Sequence, residues 1–260
     1  MTSSPLSGDI DRDTLVRYLN DYLEADQGDD YCPNGLQVEG RSRISRIVTG
    51  VSACQELFQI ARRDEAQAVL VHHGLFWSGD SPVLTGIQYR RVLELIQGEI
   101  SLIAYHLPLD RHMEVGNNAV AAQRLGLTDI RPFCDHQGLP LGVVGLFSES
   151  KPREQVFEAL QQLYGQEPLS FPYGKDLVQT VGLVSGSGGR CFHRAIELGL
   201  DLFVTGEAEE WTMNIARESQ TNFAAAGHYA TERLGVQALG DRIRHQFGLD
   251  VTFIDLPNPV

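Results

Sequence analysis

Apolar and polar positions along this 260-residue chain follow two periods, one typical of helices and one typical of buried strands. From Asp11 to Ala25, apolar side chains recur every three or four residues, which predicts a helix capped by an N-terminal aspartate. Largely apolar segments at 46–51, 66–71 and 101–106 instead predict buried strands. Because such strands alternate with helices, the pattern predicts an α/β protein.

The same alternation continues to the end of the chain. Further strands are predicted at 141–147, 178–184, 202–205, 223–226 and 251–256, and further helices at 55–63, 88–97, 117–125, 151–164, 192–198, 211–218 and 231–247. A composition shift at 133–140 and a turn-rich stretch at 165–175 are the candidate boundaries. We predict two α/β lobes: residues 1–104, completed by the C-terminal segment 240–260, and residues 105–239.

Composition and charge narrow the class of protein. No apolar run approaches the roughly 20 residues of a membrane-spanning helix. The N-terminus lacks the basic and apolar regions of a signal peptide, so we expect a cytoplasmic protein with no membrane partner. With 21 basic and 34 acidic residues, the formal net charge is −13. This charge disfavours nucleic acid as a partner, because nucleic-acid binding relies on Lys and Arg to neutralise phosphates.

The cysteines are isolated from one another. Cys32, Cys54, Cys134 and Cys191 form no C-x-x-C pair. Isolated cysteines are typical of free buried thiols. We therefore expect neither a thiolate zinc site nor a disulfide scaffold.

A histidine pair marks the end of one predicted strand. His72 and His73 follow the apolar run 68–71 and precede Gly74. Successive strand residues point to opposite faces, so both imidazoles face one cavity only if the chain bends, which Gly74 permits. The alternative is a surface pair or a hydrogen-bonded pair without a metal.

A second histidine follows a predicted strand much later in the chain. His228 comes after the run 223–226, and Glu232 lies four residues further on. Imidazole and carboxylate are ligands that zinc, iron and manganese accept. The alternative is that His228 only ends the strand and that Glu232 only favours the start of the next helix.

Two other segments carry candidate site residues. Asp110 closely follows the strand 101–106, where strand-end carboxylates commonly line a ligand crevice. His106 and His112 flank Asp110 as rival ligands, or else as a packed and a solvated histidine. The glycine-rich segment 185–189 lies between a strand and a helix, so it either binds phosphate through its amides or forms a tight turn. Glu207, Glu209 and Glu210 either line the same cavity or are solvated.

These clusters, in this order, resemble the Nif-three-like family, often labelled GTP cyclohydrolase type 2. The resemblance covers nearly the whole chain, and its most specific part is the segment 227–233. The other matching segments are 34–38, 72–77, 104–110, 116–118, 185–188 and 204–207. Many members have Pro at the position of Gly74 and Thr-Asn-Leu-Asp at 107–110. Neither departure removes a ligand, but both would reshape the mouth of the site.

The resemblance implies a Nif-three-like fold with a dinuclear metal site between the two lobes. It also implies two divalent ions per subunit (zinc, iron or manganese) and a toroidal homohexamer. The implied metal ligands are His72, His73, Asp110, His228 and Glu232, with the carboxylates as bridges.

The resulting hypothesis is a metal-dependent hydrolase with a small-molecule substrate. It would be GTP cyclohydrolase-like or act on another small nucleotide or cyclic amide, with Glu207 or His106 as proton carrier. The alternative is a non-catalytic metal-binding or ligand-sensing hexamer. A closed coordination shell would favour that alternative, because catalytic sites keep an open position.

Overall fold

The computed structural model describes residues 8–260 and divides into two compact units. The first unit contains the described residues up to Leu109 together with Val236–Leu256. The second contains Asp110–Gly235 together with Pro257–Val260. Each unit has its own sheet and its own helices, which confirms the predicted α/β class.

The first unit is built on a five-stranded sheet. Its described strands are β1 at Ile10–Asp11, β2 at Gly35–Val38, β3 at Arg43–Ile44, β4 at Arg46–Ser52, β5 at Ala68–His73, β6 at Ser101–Ala104 and β13 at Asp250–Phe253. The sheet has the order β13-β4-β5-β6-β2, in which β2 alone runs antiparallel to its neighbour. The short strands β1 and β3 pair separately.

Helices cover this sheet with apolar faces. They are α1 at Arg12–Leu23, α2 at Gln55–Arg63, α3 at Gly86–Gly98 and α10 at Arg233–Phe247. The Asp11 side chain caps α1 by accepting a hydrogen bond from the Thr14 amide at 3.0 Å. Phe58 of α2 and Leu95 of α3 pack with strand residues such as Val69 in one buried cluster. Within residues 8–260, no helix is long and apolar enough to cross a membrane.

The second unit is built on a six-stranded mixed sheet. Its described strands are β7 at Thr128–His136, β8 at Leu139–Pro152, β9 at Leu169–Pro172, β10 at Leu177–Val184, β11 at Leu202–Thr205 and β12 at Asn222–Ala225. The order is β7-β8-β10-β11-β12-β9, and the central strands β10, β11 and β12 are parallel.

Short helices connect these strands. They are α4 at Leu107–Arg111, α5 at Asn117–Arg124, α6 at Arg153–Tyr164, the 3-10 helix η1 at Gly189–Cys191, α7 at Phe192–Glu197, α8 at Thr212–Ser219 and α9 at His228–Thr231. The predicted helix 231–247 is interrupted at Glu232, since α9 ends at Thr231 and α10 begins at Arg233.

Both candidate boundaries lie within the sheet of the second unit. The segment 133–140 forms part of the antiparallel hairpin of β7 and β8, and the segment 165–175 contains the edge strand β9. Both β7 and β9 are edge strands with mostly exposed or half-buried side chains. Strands of this kind carry no continuous apolar run, so the composition of these segments resembled that of loops.

The expectation that all cysteines are free is wrong for two of them. Cys134 in β7 and Cys191 in η1 form a disulfide, with their Cα atoms 5.7 Å apart. They are separated by 57 residues in sequence, so no local spacing pattern indicates that they are bonded to each other. Cys32 and Cys54 are free thiols.

Candidate metal centre

In the first unit, polar side chains gather at one edge of the sheet. Ser52 ends β4, His72 and His73 end β5, and His106 follows β6 two residues after its last strand position. Because β4, β5 and β6 are neighbouring parallel strands, their carboxyl ends meet at the same edge. This edge is where α/β sheets generally bind ligands.

Three imidazoles form the imidazole cluster, defined as His72, His73 and His106. One ring nitrogen of each lies within 4.8 Å of those of the other two. The His106 ring centroid is 5.1 Å from that of His72 and 5.6 Å from that of His73. Trp77 packs edge-on against His106 at 5.0 Å. The sequence predicted that His72 and His73 are neighbours, but it did not predict that His106 joins them.

Each imidazole of the cluster is anchored through its Nδ1 atom. Nδ1 of His72 lies 3.0 Å from the carbonyl oxygen of Tyr105, and Nδ1 of His73 lies 3.1 Å from Oγ of Ser52. Since a carbonyl oxygen only accepts, Nδ1 of His72 carries the hydrogen, and Nε2 is the nitrogen that a metal would bind.

The anchor of His106 is a carboxylate. Nδ1 of His106 donates to Oδ1 of Asp30 at 2.6 Å. Asp30 also accepts hydrogen bonds from Asn34 Nδ2 and from the amides of Cys32 and Leu107. Burial alone would raise the pKa of Asp30, but the hydrogen bonds from His106 and Asn34 outweigh burial and hold the pKa below its ordinary value. Asp30 is therefore a fixed negative charge behind the imidazole.

Gly74 makes room for a neighbouring side chain. A Cβ atom at this position would lie 2.2 Å from Nε2 of Gln37, and Oε1 of Gln37 accepts a hydrogen bond from the Leu75 amide. The backbone of Gly74 does not adopt a positive φ. A larger residue here would therefore displace the end of the Gln37 side chain, and no left-handed turn follows His73.

The second unit uses the same arrangement at its own sheet. Ser185 follows β10, Glu207 lies two residues after the end of β11, and His228 lies three residues after the end of β12. These three strands are neighbours and parallel, so their carboxyl ends also meet at one edge. The candidate site residues of each unit are therefore located at the carboxyl ends of three parallel strands.

The carboxylate–histidine cluster is defined as Asp110, His228 and Glu232. Asp110 and Glu232 are 8% and 3% exposed, and a carboxylate oxygen of one lies within 4.8 Å of one of the other. Oε2 of Glu232 lies 3.2 Å from Nε2 of His228, and Nδ1 of His228 forms a short hydrogen bond with Glu207. Burial opposes a charge on His228, but Glu232 and Glu207 prevail and raise its pKa to about 9.

Neighbouring polar side chains hold Asp110 in place. Its Oδ1 atom accepts hydrogen bonds from Asn117 Nδ2 at 2.9 Å and from Ser185 Oγ at 2.8 Å. Asn118 Nδ2 donates to the backbone oxygen of Asp110, and Oδ1 of Asn118 accepts from the Ser185 amide. The sequence assigned no role to either asparagine. Their contacts fix the direction in which the Asp110 carboxylate points.

The glycine-rich segment is a tight turn that supports the same cluster. Gly186 adopts a φ of +59°, and its amide donates to Thr231 Oγ1 at 3.0 Å. The Ser185 amide is also used within the protein, so neither amide is directed to a phosphate. A Cβ atom on Gly186 would lie 2.3 Å from Oε1 of Glu232. The turn therefore brings backbone directly against a candidate ligand.

Two other candidate residues, His112 and Glu209, accept hydrogen bonds from residues close to them in sequence. Nδ1 of His112 accepts hydrogen bonds from the amides of Glu114 and Val115. Glu209 accepts a hydrogen bond from Nε1 of Trp211 at 2.7 Å. These contacts give both residues a structural role.

Both clusters fit a divalent cation. The imidazole cluster offers three nitrogen donors, and zinc commonly takes three protein ligands in catalytic sites. Asp110 and Glu232 are buried carboxylates close to each other, and their mutual repulsion would be relieved by a cation. The Nδ1 atoms of His72 and His106 match the usual pattern of metal-binding histidines, which donate their second ring N–H to a carbonyl or a carboxylate.

Comparison with known proteins finds relatives over nearly the whole chain. "GTP cyclohydrolase 1 type 2 homolog" of Pseudomonas aeruginosa is 45% identical over 248 residues, covering 95% of this chain and 97% of the relative. A solved structure named protein ybgI, of unknown function, has a TM-score of 0.91 and 41% identity, covering 96% of this chain and 100% of that one. A solved structure from Thermus thermophilus has a TM-score of 0.87 and 42% identity, with the same coverage.

A family model described as Duf34/NIF3 (NGG1p interacting factor 3) matches residues 10–259. This match covers nearly all of the chain, as do the relatives. The chain therefore belongs to the Duf34/NIF3 (NGG1p interacting factor 3) family.

Proposed function

We propose that this protein is a dinuclear metal-dependent hydrolase that acts on a small nucleotide or a cyclic amide. The observation that carries the proposal is the buried carboxylate pair Asp110 and Glu232 beside His228. Relatives over nearly the full length are named GTP cyclohydrolase 1 type 2 homolog, which supports a ring-opening hydrolysis of the GTP cyclohydrolase kind.

The proposed ligands are three imidazoles and two carboxylates. The imidazoles of His72, His73 and His228 and the carboxylates of Asp110 and Glu232 would hold two divalent ions per subunit, with the carboxylates as bridges. Their donor atoms suit zinc, iron or manganese. When bound, two such ions would supply a water of lowered pKa and would polarise the substrate.

The residues around these ligands have defined tasks in this proposal. Asn117 and Ser185 orient Asp110 through hydrogen bonds to Oδ1. Glu207 anchors Nδ1 of His228 and exposes 41% of its side chain, so it is able to exchange protons with solvent. We assign the proton carrier to Glu207 on this basis. His106, the second candidate from the sequence, is only 13% exposed and donates from Nδ1 to Asp30, so it exchanges protons with solvent less readily.

Metal analysis combined with a hydrolase panel tests this function. Protein purified without added metal should contain close to two divalent ions per chain. Asp110→Ala and His228→Ala should each lower this content while keeping the circular dichroism of a folded protein. Turnover of GTP, another nucleotide, a cyclic amide or a phosphoester should stop with chelator and return with a divalent cation. Bound metal without restored turnover of any substrate would instead support a metal-binding or ligand-sensing role.

We also propose a cytoplasmic homohexamer. Support for self-association comes from the segment before and within α3, where Val83, Leu84 and Ile87 are 49–60% exposed. Apolar contacts must offset the repulsion between chains that each carry a net charge of −13. Light scattering at micromolar concentration should give six times the chain mass of 28.8 kDa. A mass of one chain would refute the assembly.

A further inference from the structure

We propose that Trp77 and Tyr31 bind an aromatic ring of the substrate, so that the protein selects compounds that carry a nucleobase over compounds without a ring. The inference rests on the proposed function, because it names the part of the substrate that is recognised beside the imidazole cluster. Neither residue is a proposed metal ligand, and both belong to the first unit.

The first support is the position of the Trp77 indole. Its ring centroid lies 5.7 Å from that of His73 and 5.0 Å from that of His106. Aromatic rings attract each other at centroid distances of about 4.5–7 Å. A planar compound held next to His73 would therefore lie close enough to contact the indole.

The second support is the way in which the indole is held. Nε1 of Trp77 donates a hydrogen bond to the carbonyl oxygen of Gly74 at 3.2 Å, and the ring packs against the buried apolar cluster of the first unit. The side chain is nevertheless only half-buried. Because the one polar atom of the indole is bonded within the protein, the surface that stays open to solvent is aromatic. Such a surface favours stacking with another ring and offers no donor to a phosphate.

The third support is Tyr31, whose side chain is 50% exposed. Its carbonyl oxygen accepts a hydrogen bond from the amide of Ser78 at 2.7 Å, so its backbone is joined to the residue that follows Trp77. The residue before it, Asp30, accepts a hydrogen bond from Nδ1 of His106 at 2.6 Å. The backbone of Tyr31 is therefore fixed beside the imidazole cluster, with a large aromatic side chain in contact with solvent.

The fourth support is the segment 74–85, which contains Trp77 and connects β5 to α3 without a helix or a strand. Connections between strands and helices in α/β units commonly have about 2–6 residues, and longer ones commonly carry binding residues. This segment begins directly after His73, at the edge where α/β sheets generally bind ligands. A role in ligand binding accounts for its length.

The chemistry of the two side chains indicates the class of ligand. A net charge of −13 opposes the approach of phosphates, whereas stacking on Trp and Tyr does not require a charged ligand. Every nucleobase has an aromatic face, so stacking tolerates different bases. We therefore expect the base to supply most of the affinity in protein that has been stripped of metal with chelator.

Calorimetric titration with nucleosides tests the assignment. The probes are guanosine, adenosine, uridine and cytidine, with ribose 5-phosphate as the control without a ring, and the protein is used both stripped and loaded with Zn²⁺. Stripped wild type should bind at least one nucleoside, and ribose 5-phosphate at least about tenfold more weakly. Trp77→Leu and Tyr31→Leu should each weaken that nucleoside by about 5- to 100-fold, as expected for the loss of one stacked ring. Trp77→Phe and Tyr31→Phe should keep most of the affinity, since each retains an aromatic face.

Tryptophan fluorescence gives a second measurement of the same contact. The chain has two tryptophans, so Trp211→Phe leaves Trp77 as the only one, and Trp77→Phe leaves Trp211. The nucleoside should quench Trp211→Phe saturably with the calorimetric Kd, and it should not quench Trp77→Phe. Trp211 lies in the second unit, where its Nε1 atom donates to Glu209.

Matched variants separate this result from a general loss of structure. Tyr89 of α3 has the same 50% exposure as Tyr31, and Tyr89→Leu should bind nucleosides as wild type does. Trp211→Leu is the corresponding control for Trp77→Leu. Circular dichroism and thermal unfolding of each variant show whether it folds. If Trp77→Leu does not fold, Tyr31→Leu decides the assignment, and unchanged nucleoside affinity in that variant would refute it.

The outcomes distinguish this inference from the proposed function. No saturable binding of any of the nucleosides to wild type, stripped or loaded, would overturn the assignment, as would equal losses in Tyr31→Leu and Tyr89→Leu. Metal-restored turnover with the same KM in wild type, Trp77→Leu and Tyr31→Leu would also overturn it and leave the hydrolase intact. Nucleoside binding that depends on both rings, without turnover in the presence of any divalent cation, would support the assignment and count against the hydrolase.

Discussion

Gly186→Ala is expected to damage the metal site without altering any proposed ligand. A Cβ atom at this position would lie 2.3 Å from Oε1 of Glu232, whereas ordinary contacts of a Cβ atom begin at 3.4 Å. One of the two groups must therefore move by about 1 Å. The backbone of Gly186 is held by hydrogen bonds with Thr231, Gly206 and Thr205, so the Glu232 carboxylate is the group that moves.

The magnitude has two parts. The φ of +59° at Gly186 is left-handed, so an alanine there should destabilise the fold by about 1–2 kcal/mol. Ligand distances in metal sites tolerate deviations of roughly 0.2 Å, so a carboxylate displaced by about 1 Å ligates poorly. We expect metal affinity to fall about 10- to 100-fold, which corresponds to about 1.4–2.8 kcal/mol of binding free energy.

Gly199→Ala is the matched control. Gly199 belongs to the same unit, has a φ of +65°, and an added Cβ atom would meet nothing within 4 Å. Both variants therefore carry a similar backbone strain, and only Gly186→Ala displaces Glu232. Thermal unfolding of stripped protein and chelator competition with Zn²⁺ measure the two effects separately. Equal metal affinities for the two variants would refute the argument that Glu232, held against the turn, is a ligand.

Three further predictions concern stability. In stripped protein, the raised pKa of His228 contributes stability that is complete below pH 6.5 and is lost as pH rises through about 9. The free energy of unfolding should therefore fall over this range by at most about 3 kcal/mol, and the thermal midpoint should fall with it. The thermal midpoint of His228→Asn should not fall in this way. Reducing the Cys134–Cys191 disulfide, which spans 57 residues, should cost up to about 4 kcal/mol in urea unfolding, and Cys54→Ser should leave that loss unchanged. Burial would raise the pKa of Asp201, but the hydrogen bonds from Lys175 and Thr180 outweigh burial and lower it, so Asp201→Asn should cost about 1–3 kcal/mol at neutral pH. This loss should shrink as pH falls below 3.8 through the lowered pKa, and a pH-independent loss would contradict the reasoning.

The sequence alone was sufficient to predict those elements whose signal is a local pattern. The helix α2 at Gln55–Arg63 and the strand β11 at Leu202–Thr205 begin and end at the predicted residues, since both combine a clear apolar period with flanking polar residues. His72, His73 and His228 were chosen as candidate ligands because they end or closely follow predicted strands, and the carboxyl ends of parallel strands meet at one edge. That rule needs only the order of strands along the chain.

The remaining site residues depend on contacts between distant segments. Asp30 lies 76 residues before His106, and only the fold brings its carboxylate to Nδ1 of that ring. The segment around Asp30 is polar and irregular, with no period that marks one aspartate among several. Ser52 reaches His73 for a similar reason, through the pairing of β4 with β5. The match of Asn34 to a family motif was the one available signal, and Asn34 does donate to Asp30.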